Sequence, residues 1–159
     1  MINGDRPTVM IVDDEEMVTI SLRNLFQLQS DYRIITHTSA REALSAAESH
    51  PVDLVISDYL MPEMDGITFL SKLKEKQTQA VRVLLTGYAD KENAIRAINS
   101  VGLYQYVEKP WDNDELLVVV KNGLEKRALL RTLEQKLAEL DQAHSSLKSF
   151  QTELIKAFM

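Results

Sequence analysis

A chain of 159 residues, 45% hydrophobic and 26% charged, has room for one globular domain with a core and a modest extension, not for two full domains. It has no cysteine, which excludes disulfides and a thiolate zinc site. No apolar run nears the ~18 residues that span a bilayer, and the polar start at Met1–Pro7 has no signal-peptide stretch; these negatives favour the cytoplasm. Residues 1–124 carry 19 acidic and 12 basic side chains and residues 125–159 carry 5 and 6, so neither part offers the basic patch of direct nucleic-acid binding.

The first strand is predicted over Thr8–Val12. A helix from about Glu15 to Gln29 follows, with Val18, Leu22, Leu25 and Phe26 on one face. Arg33–His37 reads as the second strand and Ala40–Ser49 as the second helix, with Ser39 as its N-cap. Pro51 breaks the chain before the third strand, Asp53–Ser57. Pro62 and Gly66 mark a loop, after which Ile67, Leu70 and Leu73 stripe the third helix. Val81–Leu85 is the fourth strand and Asp90–Ser100 the fourth helix. Tyr104–Val107 is the fifth strand, and Pro110 with Asp112 opens a fifth helix. Five alternations of this kind predict an α/β fold, a parallel sheet with helices on both faces. The strands are nearly continuous apolar runs, as required when both faces are covered.

Ligands of such a sheet sit at the carboxyl ends of its strands. Strand one ends in Asp13-Asp14, strand three in Asp58, strand four in Thr86, and strand five leads to Lys109-Pro110. Crowded carboxylates repel one another unless a cation neutralises them. A set of oxygens without His or Cys points to Mg²⁺ or a similar hard ion. Taken singly, each residue has a plainer reading. Asp13 or Asp14 could cap the following helix, Asp58 could be a loop carboxylate, Thr86 could serve a turn, Tyr106 could pack on the fifth helix, and Lys109 could be solvated. Their joint arrangement favours a site. His37, His50 and His144 show no ligand spacing and receive no role.

Four blocks, VMIVDDE at 9–15, DLVISDYLMPEMDG at 53–66, LLTGYAD at 84–90 and YVEKPW at 106–111, occur in one order and spacing. Together they resemble the signature blocks of bacterial response-regulator receiver domains, over roughly residues 8–124. The resemblance implies a doubly wound, flavodoxin-like sheet of order 2-1-3-4-5. It implies that Asp58 is the nucleophile that takes a phosphoryl group from a sensor histidine kinase or phosphotransfer protein. Asp14 and Asp58 would ligate Mg²⁺ directly, Asp13 directly or through water, and the Leu60 carbonyl would complete the protein's share. Lys109 would neutralise phosphoryl charge, Thr86 would hydrogen-bond the bound group, and Tyr106 would turn inward when Thr86 moves. The Lys109–Pro110 bond is often cis in this family. Leu60 and Tyr88 occupy positions that flank the hydrolytic water's path, and neither looks suited to orient it, so slow self-dephosphorylation is expected.

No proline or further glycine follows Gly123. From Leu130 a heptad seam runs through Leu130, Leu133, Leu137, Leu140, His144, Leu147, Gln151, Leu154 and Phe158, seven of the nine apolar. The division expected is therefore a receiver domain at 1–124 and a coiled-coil extension or linker at 125–159. A homodimer through this helix is the favoured reading, and an amphipathic helix folded back on its own domain is the alternative. A second reading of the whole makes it the regulatory front of a longer enzyme, with a cyclic-di-GMP phosphodiesterase, cyclase, phosphatase or kinase output; a pattern that breaks off at Phe158-Met159 suits it. No separate catalytic domain is visible, so the chemistry expected is phosphorylation and dephosphorylation of Asp58 alone.

Overall fold

A computed structural model describes residues 6–158. Residues 1–5, read above as part of the polar start, and Met159 lie outside the described residues. Five strands, β1 (Thr8–Val12), β2 (Arg33–His37), β3 (Leu54–Asp58), β4 (Val81–Thr86) and β5 (Gln105–Glu108), form a parallel sheet of order β2-β1-β3-β4-β5. The helices are α1 (Glu16–Gln29), α2 (Ala40–Ala47), α3 (Gly66–Lys76), α4 (Lys91–Ser100) and α5 (Asn113–Ala157). This is the doubly wound order that the family resemblance implied.

Alternate side chains of a strand point to opposite faces, and the core divides accordingly. Met10, Val12, Val55 and Leu84 meet Ala43, Phe69, Leu70, Leu73 and Ala94 of α2, α3 and α4. Val9, Ile11, Leu54, Ile56, Val83 and Leu85 meet Leu22 and Phe26 of α1 and Leu116, Val119 and Val120 of α5 on the other side. Every residue of β1, β3 and β4 is buried, whereas the edge strands β2 and β5 are mostly half-exposed. Each fully buried Val, Leu or Ile contributes about 1.5–3 kcal/mol. The central strands that deliver the acidic residues are thus the most firmly held.

Element boundaries differ from the sequence reading in small, explicable ways. β3 begins and ends one residue later than expected, because Asp53 is used at the sheet's lower edge. Its carboxylate accepts from the Thr8 amide at 2.8 Å, and its own amide donates to the Thr8 carbonyl at 2.9 Å. Ser39 caps α2 as expected, its hydroxyl accepting from the Glu42 amide, although the helix ends at Ala47. α4 begins at Lys91, one residue later than expected, because Asp90 closes a 3₁₀ turn at Tyr88–Asp90. α5 continues through Gly123, whose missing side chain is used for packing: a Cβ there would lie 3.0 Å from Leu54 and 3.1 Å from Val81. By its contacts the chain divides after Glu125. Beyond that point every described residue is exposed except the half-buried Arg127, and the seam leucines are among the exposed.

Gly66 is the residue on which the approach of α3 to β3 depends. Its amide donates to the Tyr59 carbonyl at 2.7 Å, and a Cβ would sit 2.1 Å from the Asp58 carbonyl oxygen. Backbone cannot yield to that overlap as a flexible side chain would. Gly66→Ala is expected to lose about 3 kcal/mol of stability in urea denaturation. Gly87→Ala, where the nearest atom is 3.9 Å from the added carbon, should stay within about 0.5 kcal/mol of wild type.

Candidate functional site

The carboxyl ends of β1, β3, β4 and β5 converge on one edge of the sheet. β3 places Asp58 at its last position, 7% exposed. Asp13 and Asp14 follow β1, and consecutive residues of an extended chain face opposite ways. Asp13 is fully buried and Asp14 exposed. One carboxylate oxygen from each of Asp13, Asp14 and Asp58 lies within 4.8 Å of the other two. Lys109 reaches over from the end of β5, its Nζ 2.9 Å from Asp58 and 3.2 Å from Asp13. The Lys109 amide donates to the Thr86 carbonyl at 2.9 Å, which ties the end of β5 to the end of β4, and the Lys109–Pro110 bond is cis.

Asp13 is held from two sides. One of its carboxylate oxygens accepts from the Glu15 amide at 2.9 Å, supporting the entry to α1, and the other faces Lys109. Thr86 is fully buried, its hydroxyl donates to the Gly87 carbonyl at 3.2 Å, and its own carbonyl accepts from the Lys109 amide. Tyr106 is half-buried and packs against the α2–α4 side of the core. An open cleft of about 350 Å³ is lined by Asp14, Asp58, Leu60, Gly87, Asp90 and Lys109 among others. Leu60 is 64% exposed there, whereas Tyr88 is exposed and not part of the lining.

Three carboxylates share one ammonium, and the electrostatics reflect the shortfall. Burial raises the pKa of Asp13; the Glu15 amide bond opposes it, and the Asp58 charge adds to it. Burial also raises that of Asp58, with Lys109 pulling it back and Asp14 pushing it further up. For Lys109, burial favours the neutral amine, but Asp58 and Asp13 outweigh it and raise its pKa, so the ammonium persists. A compact, oxygen-only set with excess negative charge fits a hard divalent cation. It also fits poorly with zinc, which prefers nitrogen and sulfur donors. The exposed Asp14 and the buried Asp58 both border the cleft, and Asp13 is not part of its lining.

Two neighbours of the site carried no signal in the sequence. Asp90, on the 3₁₀ turn, lines the cleft, and Tyr59 accepts at its hydroxyl from the Asn93 amide at 3.1 Å. The histidines stand apart. His37 is half-buried, with a lowered pKa because burial disfavours its charged form, and its Nε2 has no hydrogen-bond partner among the described residues. His50 and His144 are exposed.

Residues 9–121 match the family described as the response regulator receiver domain. The hydrogenase transcriptional regulatory protein HoxA of Cupriavidus necator is 36% identical over 122 residues, which is 77% of this chain and 25% of that protein. The regulatory protein AtoC of Escherichia coli is 37% identical over 139 residues, 87% of this chain and 29% of that protein. The chain thus spans about a quarter of the length of these curated relatives. Among solved structures, the signal receiver domain of an HD domain-containing protein from Pseudomonas fluorescens Pf-5 superposes with a TM-score of 0.73 at 35% identity, covering 78% of this chain and 98% of that one.

The charge imbalance has a measurable consequence without any cation. Asp13 has a folded pKa above its usual 3.8, so folding costs more once it is ionised. The folded state then binds the proton more tightly than the unfolded chain, and this contribution to stability falls as pH rises from about 3.8 through the raised value. In chelator at neutral pH, Asp13→Asn should therefore be the more stable protein, by about 1 kcal/mol or roughly 3 °C in Tm. The gap should shrink as the pH is lowered toward 4. Thermal unfolding of both proteins across pH measures it; a variant less stable at neutral pH would contradict the imbalance.

Proposed function

The chain belongs to the response regulator receiver domain family, and on that premise we propose that Asp58 is its phosphoryl acceptor and residues 125–159 its means of self-association. The single observation that carries the first part is the convergence of Asp13, Asp14 and Asp58 beneath the Lys109 ammonium at the mouth of one cleft. Receivers of two-component systems take their phosphoryl group from histidine kinases, and the donor here is a sensor histidine kinase or phosphotransfer protein. A carboxylate oxygen of Asp58 bonds to phosphorus as the bond from phosphorus to the donor's histidine nitrogen breaks, leaving an acyl phosphate.

Receiver domains generally bind Mg²⁺ at an acidic pocket, and this cluster suits it. Asp14 and Asp58 would hold the ion, with Asp13 behind them and the Leu60 carbonyl beside them. Bound there, Mg²⁺ would offset carboxylate repulsion and the charge of the incoming phosphoryl oxygens. Lys109 is already paired with the oxygen of Asp58, and its persistent positive charge stabilises the negative charge that develops on transfer. Thr86 is placed one residue from the end of the cleft, at Gly87, and its hydroxyl would exchange the Gly87 carbonyl for a phosphoryl oxygen. Such a movement vacates space toward β5, where Tyr106 is half-buried and able to turn inward.

Residues 1–124 are assigned to the receiver and 125–159 to the helical extension. The extension's exposed apolar seam supports a homodimer as the state that phosphorylation controls, or as the coupling to a further output. No helix among the described residues is long and apolar enough to cross a membrane, which is compatible with a cytoplasmic site of action.

Incubation with a small-molecule phosphodonor should add one phosphoryl group by mass spectrometry. Labelling should disappear in Asp58→Ala, disappear in excess chelator, and slow about 100-fold in Lys109→Ala. Full labelling of Asp58→Ala would remove the assignment.

The lifetime of the acyl phosphate provides a second test. Hydrolysis needs a water held in line with phosphorus, and Leu60, exposed at the cleft, offers it no hydrogen bond. Self-dephosphorylation is expected to be slow, and Leu60→Asn should speed the decay of the isolated phosphoprotein about tenfold. Tyr88→Glu should do so less, because Tyr88 is not part of the cleft lining. Unchanged decay in both would show that backbone geometry sets the rate.

A further inference from the structure

We infer that residues 130–158 pair with a second copy of the same chain as a parallel, in-register, two-stranded coil whose direction is set by His144 and Gln151. The inference rests on the self-association proposed above and specifies its geometry. Leu133, Leu140, Leu147 and Leu154 occupy one seam row, and all four are at least 42% exposed. The other row is Leu130, Leu137, His144, Gln151 and Phe158, so the polar interruptions fall in that row alone. Leucine throughout one row with isolated polar residues in the other is the pattern that limits a coil to a defined strand number and register.

Direction follows from which row meets which. In a parallel pair each row meets its own counterpart, so His144 faces His144 and Gln151 faces Gln151 of the second copy. Both side chains carry a donor and an acceptor, and each such layer can satisfy itself. In any antiparallel register the mixed row meets the all-leucine row. His144 and Gln151 would then each be seated against leucine, their polar atoms removed from water without a partner. That penalty falls on two layers of each chain and disfavours the antiparallel arrangement.

The flanking positions agree. Parallel pairing sets Lys136 beside Asp141 of the second copy and Phe150 beside Ile155 of the second copy, opposite charges in one place and two exposed apolar side chains in the other. Phe150 is 58% and Ile155 60% exposed in the single chain. Lys136 lies 3.6 Å from Glu139 of its own helix, but both are highly exposed, and such a pair is too weak to withhold Lys136 from the second copy.

The chain has no cysteine, so single cysteines report direction cleanly. Leu133→Cys and Gln151→Cys, each in the full chain, should form disulfide-linked dimers at least tenfold faster than Ser149→Cys on the outer face. A disulfide requires Cα atoms within about 7 Å, which these positions reach with their own counterparts only in the parallel register. Sedimentation of the wild type should give a dimer mass. Replacing both polar layers, His144→Leu with Gln151→Leu, should tighten association at least tenfold and add trimers or tetramers to the dimer. A dimer whose single-cysteine variants fail to link, or whose mixed Leu133→Cys and Gln151→Cys variants link only to each other, overturns the parallel register while leaving self-association intact. A trimer mass for wild type, or a double variant indistinguishable from it, overturns the assignment of the polar layers. A wild type that stays monomeric at high concentration ends the association reading itself.

Discussion

Confinement of three carboxylates with a single ammonium is the constraint around which the sheet's upper edge is organised. Neutralising all three would make a quiet, stable site; leaving them in water would make none at all. The fold does neither. It buries Asp13 and nearly buries Asp58, leaves Asp14 open, and supplies one positive charge from Lys109. A deficit of positive charge is thereby built into the native state and held there by the packing of β1 and β3. Removal of such groups from active sites commonly stabilises a protein, because function and stability draw on the same electrostatics in opposite directions.

Packing on both faces of the sheet is what maintains the deficit. Leu54 and Ile56 lock β3 to α1 and α5, and Val55 locks it to the opposite layer. Gly66 then brings the start of α3 against the Asp58 carbonyl, closer than any side chain would allow. The Asp58 carboxylate is consequently fixed through its backbone from three directions, and Lys109 is fixed through the link of its amide to Thr86. Preorganisation of this kind means that little rearrangement is required of the protein when charge develops in the cleft.

Much of this was legible in the sequence because a parallel sheet covered on both faces writes continuous apolar runs, and the residues after each run are those of the functional edge. β1, β2 and the Ser39 cap followed directly from the residues, and the sheet order from the family resemblance. The one-residue shift of β3 was not legible, since Asp53 at its start is drawn into hydrogen bonds with Thr8 that only the neighbouring strand supplies. Nor does the sequence distinguish Asp13 from Asp14. Two identical letters become one buried and one exposed carboxylate only through the alternation of the extended chain. Gly66 read as a loop marker, although its weight lies in a tertiary contact. Gly123 lies within α5, which uses it to lie close to Leu54 and Val81, a contact that nothing in the local sequence announces. The 3₁₀ turn that brings Asp90 to the cleft and leaves Tyr88 outside it has no periodic signature of its own.

The unequal burial of the strands also sets a gradient of local opening across the sheet. Amides of β1 and β3 are paired on both sides and shielded on both faces, so their exchange with solvent deuterium requires global unfolding. β5 has one neighbour and is half-exposed along most of its length, so it opens at much lower cost. Tyr106 and the approach to Lys109 therefore lie on the compliant margin of the sheet, and Asp58 lies on its rigid midline. A molecule arranged in this way can hold Asp58 still while the margin next to it moves, which confines the motion to the surface farthest from β2.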